Sequence, residues 1–349
     1  MRRRSLLAAA PGLAAGLPAL ALPPARLEFP RDHGAHPAFR TEWWYITGHA
    51  RSGEREFGFQ VTFFRSRVDA TQQMTSRFAA KQLVFAHAAV TDVQGRKLWH
   101  DQRIAREGFD IAVAAPGDAR VRLRDWSLER RDSAWHARLP AADLTLDLAF
   151  TPTQPVLLQG RAGLSRKGPQ ERQASYYYSL PQLAAGGALV IQGRRFEVQG
   201  KAWLDHEWSE ELLHPEAVGW DWIGMNLEDG SALTAFRLRR KDGTTLWDGG
   251  SFRSGKGDLY IASAGETEFR PQRRWTSPLS GASYPVEWIV RTPADFYTVK
   301  AVVDNQELDS RSSTGAIYWE GLSHLFDSNG KRVGRGYLEM TGYAQRLRM

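Results

Sequence analysis

From about residue 108 to 161 the chain breaks into short apolar runs separated by turn residues every 8–12 positions or so, and no part of that stretch shows a helical period. The runs are Phe109–Val113, Val121–Trp126, Ser127–Arg131, Trp135–Leu139 and Leu144–Phe150. In the last of them Leu144, Leu146 and Leu148 alternate with Thr145, Asp147 and Ala149. A period of two puts every second side chain on one face of a strand, so this region predicts a meander or a barrel. Phe57, Phe59, Val61 and Phe63 alternate with Gly58, Gln60, Thr62 and Phe64 in the same way, and with Glu42–His49 they predict an antiparallel hairpin. On a sandwich the Gln60 and Thr62 face would meet solvent; in a ligand-holding barrel it could supply polar groups to the interior.

A second unit is expected from about residue 212. Trp220–Leu227, a turn at Glu228-Asp229-Gly230 and Ala232–Arg239 repeat the organisation of residues 42–67: an acid among rings, a strand, a tight glycine turn, and a strand ending in arginine. Further strands are predicted over 258–261, 267–270, 286–292, 296–303, 315–326 and 334–339. The length of 349 residues suits two domains, and the 32 glycines and 17 prolines lie between short apolar runs. Hydrophobic residues make up 42% of the chain and aromatics 11%, which predicts an ordered fold.

Residues 1–21 read as an export leader. Arg2-Arg3-Arg4 precede Ser5-Leu6-Leu7 and an apolar run to Leu20, Ala19-Leu20-Ala21 offers a small-x-small cleavage site, and Arg3-Arg4-x-Leu-Leu fits a twin-arginine signal. Pro11 and Pro18 interrupt a run already too short to span a bilayer. The expectation is a soluble, periplasmic or secreted protein with no stable membrane span. Its loss leaves 43 basic residues against 39 acidic, a net +4 rather than +7, and the cations are scattered, which argues against nucleic-acid binding. With no cysteine there is no disulfide and no thiolate chemistry.

Several stretches carry no regular pattern. Leu22–Arg40 is expected to be an extended arm, with His33 and His36 as solvated loop histidines; residues 66–82 a loop; and Gly160–Arg172 a flexible polar insertion. His87, the ionisable group of the strand Val84–Asp92, is expected to be satisfied inside the fold.

Trp203-Leu204-Asp205-His206-Glu207-Trp208 sets two carboxylates and an imidazole within five residues, with an indole at each end. Tyr176-Tyr177-Tyr178 lies upstream, Trp220-Asp221-Trp222 downstream, and Glu42-Trp43-Trp44-Tyr45 near the start. On a strand Asp205 and Glu207 share a face while His206 points away. A carboxyl desolvated by rings, with a second carboxylate close by, is held protonated toward neutral pH and can protonate an electron-rich alkene. Ring faces would favour the carbocation formed, and Glu207 or His206 could activate water. The alternative is that Asp205 merely bonds an indole or a turn amide at a domain seam. Glu42, Glu320 and Glu339 read as structural. A metal site from His206, Glu207 and His87 lacks fixed ligand spacing, and no GxGxxG, P-loop, GxSxG or HExxH is present, so no metal or cofactor is expected.

The ordered motifs EWWYITGH, FGFQVTFFR, FAHAAVTD, YYYS, WLDHEW, WDWIGMNL, YWEG and GYLEMTGY, running from about Pro30 to Tyr343, resemble the AttH-like and carotenoid 1,2-hydratase family of tandem lipocalin-like proteins. The resemblance implies an all-β chain of two lipocalin-like β-barrels or strongly curved sandwiches, over 22–211 and 212–349. It further implies, for the hydratase branch, cofactor-free addition of water to the terminal double bond of an acyclic carotenoid. The family's catalytic acid matches Asp205. The hydratases carry Tyr where this chain has Trp203, and an upstream ring of their site falls in Tyr176–Tyr178. The expected site is therefore Asp205 and Glu207 as catalytic carboxyls, with Trp203, Trp208, Tyr176, Tyr178, Trp222 and Trp44 around a hydrophobic small molecule. The other reading is a non-catalytic periplasmic binder or carrier of a lipophilic ligand, held in a barrel cavity.

Overall fold

The computed structural model describes residues 21–347 apart from Ala25 and Leu212, so the leader, but for Ala21, lies outside the described residues. The chain is almost entirely β. The first sheet opens with β1 (Thr41–Ser52), β2 (Arg55–Arg67), β3 (Gln82–Asp92) and β4 (Lys97–Arg106). A meander of β5 (Ala112–Ala114), β6 (Arg120–Leu123), β7 (Trp126–Arg131), β8 (Ala134–Pro140) and β9 (Leu144–Thr151) follows. Two short strands, β10 (Leu157–Leu158) and β11 (Leu164–Arg166), lead to the 18-residue β12 (Ala174–Ile191) and β13 (Arg194–Glu211). The order across the sheet is β4-β3-β2-β1-β13-β12-β9-β8-β7-β6-β5, and its two ends curl back on each other, so the barrel is nearly closed.

The second sheet begins with β14 (Gly219–Leu227), β15 (Ala232–Arg239), β16 (Thr245–Arg253), β17 (Leu259–Ala262) and β18 (Glu268–Pro271). A separate hairpin, β19 (Arg274–Thr276) and β20 (Ser283–Pro285), precedes β21 (Glu287–Arg291), β22 (Phe296–Ala301), β23 (Glu307–Ser310), β24 (Ala316–Phe326) and β25 (Arg332–Met340). Its order is β17-β16-β15-β14-β25-β24-β22-β21-β18. In each sheet the first strand lies between the second and the last, so the repeat seen in the sequence extends to the topology.

Period-two alternation decides what fills the barrel. Leu144, Leu146, Leu148 and Phe150 point inward from β9, Trp135, Ala137 and Leu139 from β8, and Phe57, Phe59, Val61 and Phe63 from β2. Burying each large apolar side chain stabilises the fold by roughly 1.5–3 kcal/mol. The opposite face of β1, β2, β12 and β13 is covered by the second sheet, and a separate cluster of Tyr45, Trp203, Trp222, Phe236, Leu238, Leu322 and Tyr337 forms there. The sheets meet closely at Gly58, where a Cβ would lie 2.7 Å from the Tyr337 hydroxyl and 2.9 Å from Leu322 Cβ. Gln182 reaches across to the Leu227 and Ser231 carbonyls, and Asn226 back to the Ala202 carbonyl.

Two loop expectations fail for the same reason: the polar groups find partners inside. The 22–40 arm tucks into the barrel end, where His33 is buried and bonds the Tyr178 hydroxyl at 2.7 Å, and His36 stacks on Trp208 at 3.8 Å. The 160–172 insertion adds β11 to β12 and places Lys167 in the interior. Among the described residues no helix is long and apolar enough to cross a membrane.

Candidate active site between the two sheets

A cleft of about 340 Å³ opens between the sheets, on the outer face of the barrel and not within it. Asp205 sits on β13 with Tyr45 of β1 and Ser179 of β12 as its cross-strand neighbours. These are the central strands of the first sheet, and the second sheet covers them, so the carboxyl is buried at 4% exposure. Its Oδ1 accepts from Trp203 Nε1 at 2.7 Å and Ser179 Oγ at 2.5 Å, and its Oδ2 from the Tyr177 hydroxyl at 2.8 Å. Burial raises its pKa to about 7, against the three hydrogen bonds that favour the anion, and Glu207 adds a smaller upward push. Desolvation wins.

Glu207 shares that face, as the strand period requires, but its carboxylate is occupied. Lys167 Nζ lies 3.0 Å away, and the Ser175 hydroxyl donates to the same oxygen. The Lys167 ammonium also sits 4.6 Å from the Tyr177 ring centre and 4.4 Å from that of Phe236. From the second sheet come Trp220, Trp222, Glu320 and Glu339. Trp222 meets Tyr45 edge to face at 5.5 Å. Glu320 and Glu339 stand directly opposite one another on β24 and β25. Burial pushes both up, Glu339 to about 7. At the far wall His87 bonds Tyr318 and Ser313, both at 2.8 Å, and burial lowers it to about 3. His87 is satisfied, and it also lines the cleft.

The expected ring set divides between the two faces. Trp203 and Trp222 lie with Asp205. Trp44, Tyr176, Tyr178 and Trp208 belong to the barrel core on the opposite face, away from the carboxyl they were expected to shield. Parity is the cause: Tyr177 pairs with Glu207 and Ser179 with Asp205, so the middle tyrosine of the three faces the cleft. His206 points into the barrel and bonds Glu42 at 3.0 Å, so His206, Glu207 and His87 are not brought together. Glu42 also bonds His36 at 2.7 Å and Arg65 at 2.8 Å. His36, Glu42 and His206 could in principle grip a metal ion, but the Arg65 guanidinium already supplies the cation there. Sequence reasoning missed Tyr177, Ser179 and Lys167. Only the register, which no single-strand pattern reveals, assigns Tyr177 and Ser179 to this face, and Lys167 reaches it from the loop after β11.

The profile of the AttH-like family matches residues 20–343. This chain belongs to the AttH-like family. A crystal structure of a putative AttH from Nitrosomonas europaea is 46% identical, with a TM-score of 0.86 over 93% of this chain and 99% of that one. Kievitone hydratase from Nectria haematococca shares the fold at 13% identity, with a TM-score of 0.72 over 92% and 94% of the two chains. CghA bound to Sch210972 does so at 14% identity, TM-score 0.57, over 89% and 90%. Among curated proteins there is no match. The AttH-like chain thus has a hydratase-like, tandem lipocalin-like fold, and a fold alone does not define a substrate.

Proposed function

We propose that this AttH-like protein is a hydratase that adds water to an electron-rich double bond of an apolar, isoprenoid or carotenoid-like substrate, with Asp205 as the proton donor and no cofactor. The observation that carries the reading is the Asp205 carboxyl, enclosed between the sheets, held at a pKa of about 7 by burial and facing a cleft walled by Tyr45, Tyr177 and Trp222. A group at that pKa is protonated in a useful fraction at neutral pH and is acidic enough to donate. Its proton forms the new C–H bond as the π electrons leave the adjacent carbon cationic. The ring faces favour that cation by about 0.5–2 kcal/mol each. Water then bonds to the cation and releases a proton. The hydratase among the proteins of like fold supports the reaction class.

The test is incubation of purified protein with acyclic polyenes, followed by mass spectrometry. The expected product is heavier by one water, and Asp205→Asn is expected to abolish it while folding and ligand retention persist. A lipid that co-purifies with the wild type and is never altered would favour a carrier instead.

A further inference from the structure

The hydratase reading leaves one step without a residue: something must take the proton from the attacking water. Asp205 and the two groups beside it are already committed. Glu207 is held by Lys167 and Ser175, His206 faces the barrel interior on Glu42, and Asp205 itself accepts three hydrogen bonds. Glu339 differs from all of them. Its carboxylate has no ion-pair partner among the described residues, its hydrogen-bond donor is the Trp220 indole, and it keeps part of its surface open where it lines the cleft. A carboxyl enclosed by protein with one indole donor and no cation beside it keeps acceptor capacity free for a bound molecule.

Its position is suitable. On β25 Glu339 pairs across the strands with Trp222, the ring that meets Tyr45 edge to face, and Tyr45 is in turn the cross-strand neighbour of Asp205. The two carboxyls thus approach one cleft from opposite sheets, with a ring pair between. Beside Glu339, Glu320 is 2% exposed; its Oε2 accepts from Gln60 at 2.7 Å while its Oε1 has no partner. The buried Tyr45 hydroxyl also lacks one. The Tyr45 hydroxyl and the Glu320 carboxyl face one another there, polar groups that a water molecule beside Glu339 could also bond.

Resting on the hydratase reading, we propose that Glu339 is the base of the reaction: it holds the attacking water opposite Asp205 and accepts its proton. The Asp205 proton goes to one alkene carbon and the water oxygen bonds to the other. The second water proton goes to the Glu339 carboxylate, leaving Asp205 ionised and Glu339 protonated. Proton exchange with solvent resets the pair. Alkene and water give one alcohol, with no other reactant. The groups facing Glu339 are Asp205 and Glu207 from the first sheet and Glu320 and the Trp220 indole from its own.

The experiment separates the two proton transfers. Wild type, Asp205→Asn and Glu339→Gln are each given lycopene or squalene in detergent micelles, once in deuterium oxide and once in heavy-oxygen water. Deuterium entering recovered alkene reports protonation and its reversal; heavy oxygen in the alcohol reports water capture. Glu339→Gln is expected to keep deuterium exchange and to lose water capture roughly 100- to 10,000-fold. Asp205→Asn is expected to lose both. Glu339→Ala with added formate should regain water capture, a rescue that a purely structural role would not show. Water capture by Glu339→Gln at the wild-type rate overturns the assignment and leaves the hydratase reading standing. A wild type that gives neither label overturns both.

Discussion

Trp203 Nε1 donates to Asp205 Oδ1 at 2.7 Å from two residues earlier on the same face of β13. The period of the strand makes this contact, and it does so where the Tyr of the carotenoid hydratases would stand. An indole can only donate, so it always favours the anion. Trp203→Phe keeps the ring and removes the donor. A hydrogen bond to a charged group contributes about 1.5–3 kcal/mol, so the Asp205 midpoint should rise by roughly 1–2 pH units, read by titration of the carboxyl in infrared difference spectra.

The raised carboxyl also sets a pH dependence of stability. Between the ordinary carboxyl pKa, near 4, and about 7, the folded state holds a proton on Asp205 that the unfolded chain has released. Stability therefore falls as pH rises through that window. Asp205→Asn removes the penalty, and its unfolding free energy from denaturant titration should exceed that of the wild type at about pH 8, by on the order of 1–3 kcal/mol, with the gain vanishing near pH 4. His33, His49 and His87, each lowered to about 3 by burial, act in the other direction: the unfolded chain binds protons near pH 6.5, so stability also falls as pH drops below that value.

Lys167 and Glu207 form a buried ion pair from a loop and the central strand. Lys167→Met leaves Glu207 buried and unpaired and should cost about 3–5 kcal/mol in urea unfolding. Adding Glu207→Gln removes the stranded charge, so the double variant should recover most of that loss. A pair that contributes to folding only through its burial predicts this non-additivity.

Glu42 tests the separation of the two faces. It is fully buried among Arg65, His36 and His206 on the barrel side of the sheet. Burial pushes its pKa up, but the hydrogen bonds and charge of His206 and His36 together win and hold it well below the usual carboxylate range. Glu42→Gln should therefore cost about 3–5 kcal/mol of stability while leaving the Asp205 titration and ligand retention unchanged.

The all-β architecture was legible because alternation such as Leu144–Phe150 is local: one strand carries the whole signal. Asp205 and Glu207 on one face, with His206 on the other, followed from the same parity. Which tyrosine joins them did not, because it depends on the pairing of β12 with β13, and a slip of one residue exchanges Tyr177 for Tyr176 and Tyr178. Lys167 was hidden for another reason. A polar Arg-Lys-Gly-Pro run reads as solvated, and only the carboxylate waiting at Glu207 draws the lysine inside. The cleft itself lies between units far apart in sequence, so Glu320 and Glu339 carried no local mark of the site they share with Asp205.

Infrared difference spectroscopy of wild type minus Asp205→Asn measures the central claim directly, since a protonated carboxyl has a carbonyl stretch that a carboxylate lacks. The account predicts such a band below neutral pH, titrating away with a midpoint of about 7. A carboxyl already ionised at about pH 5, near its ordinary range, would contradict it.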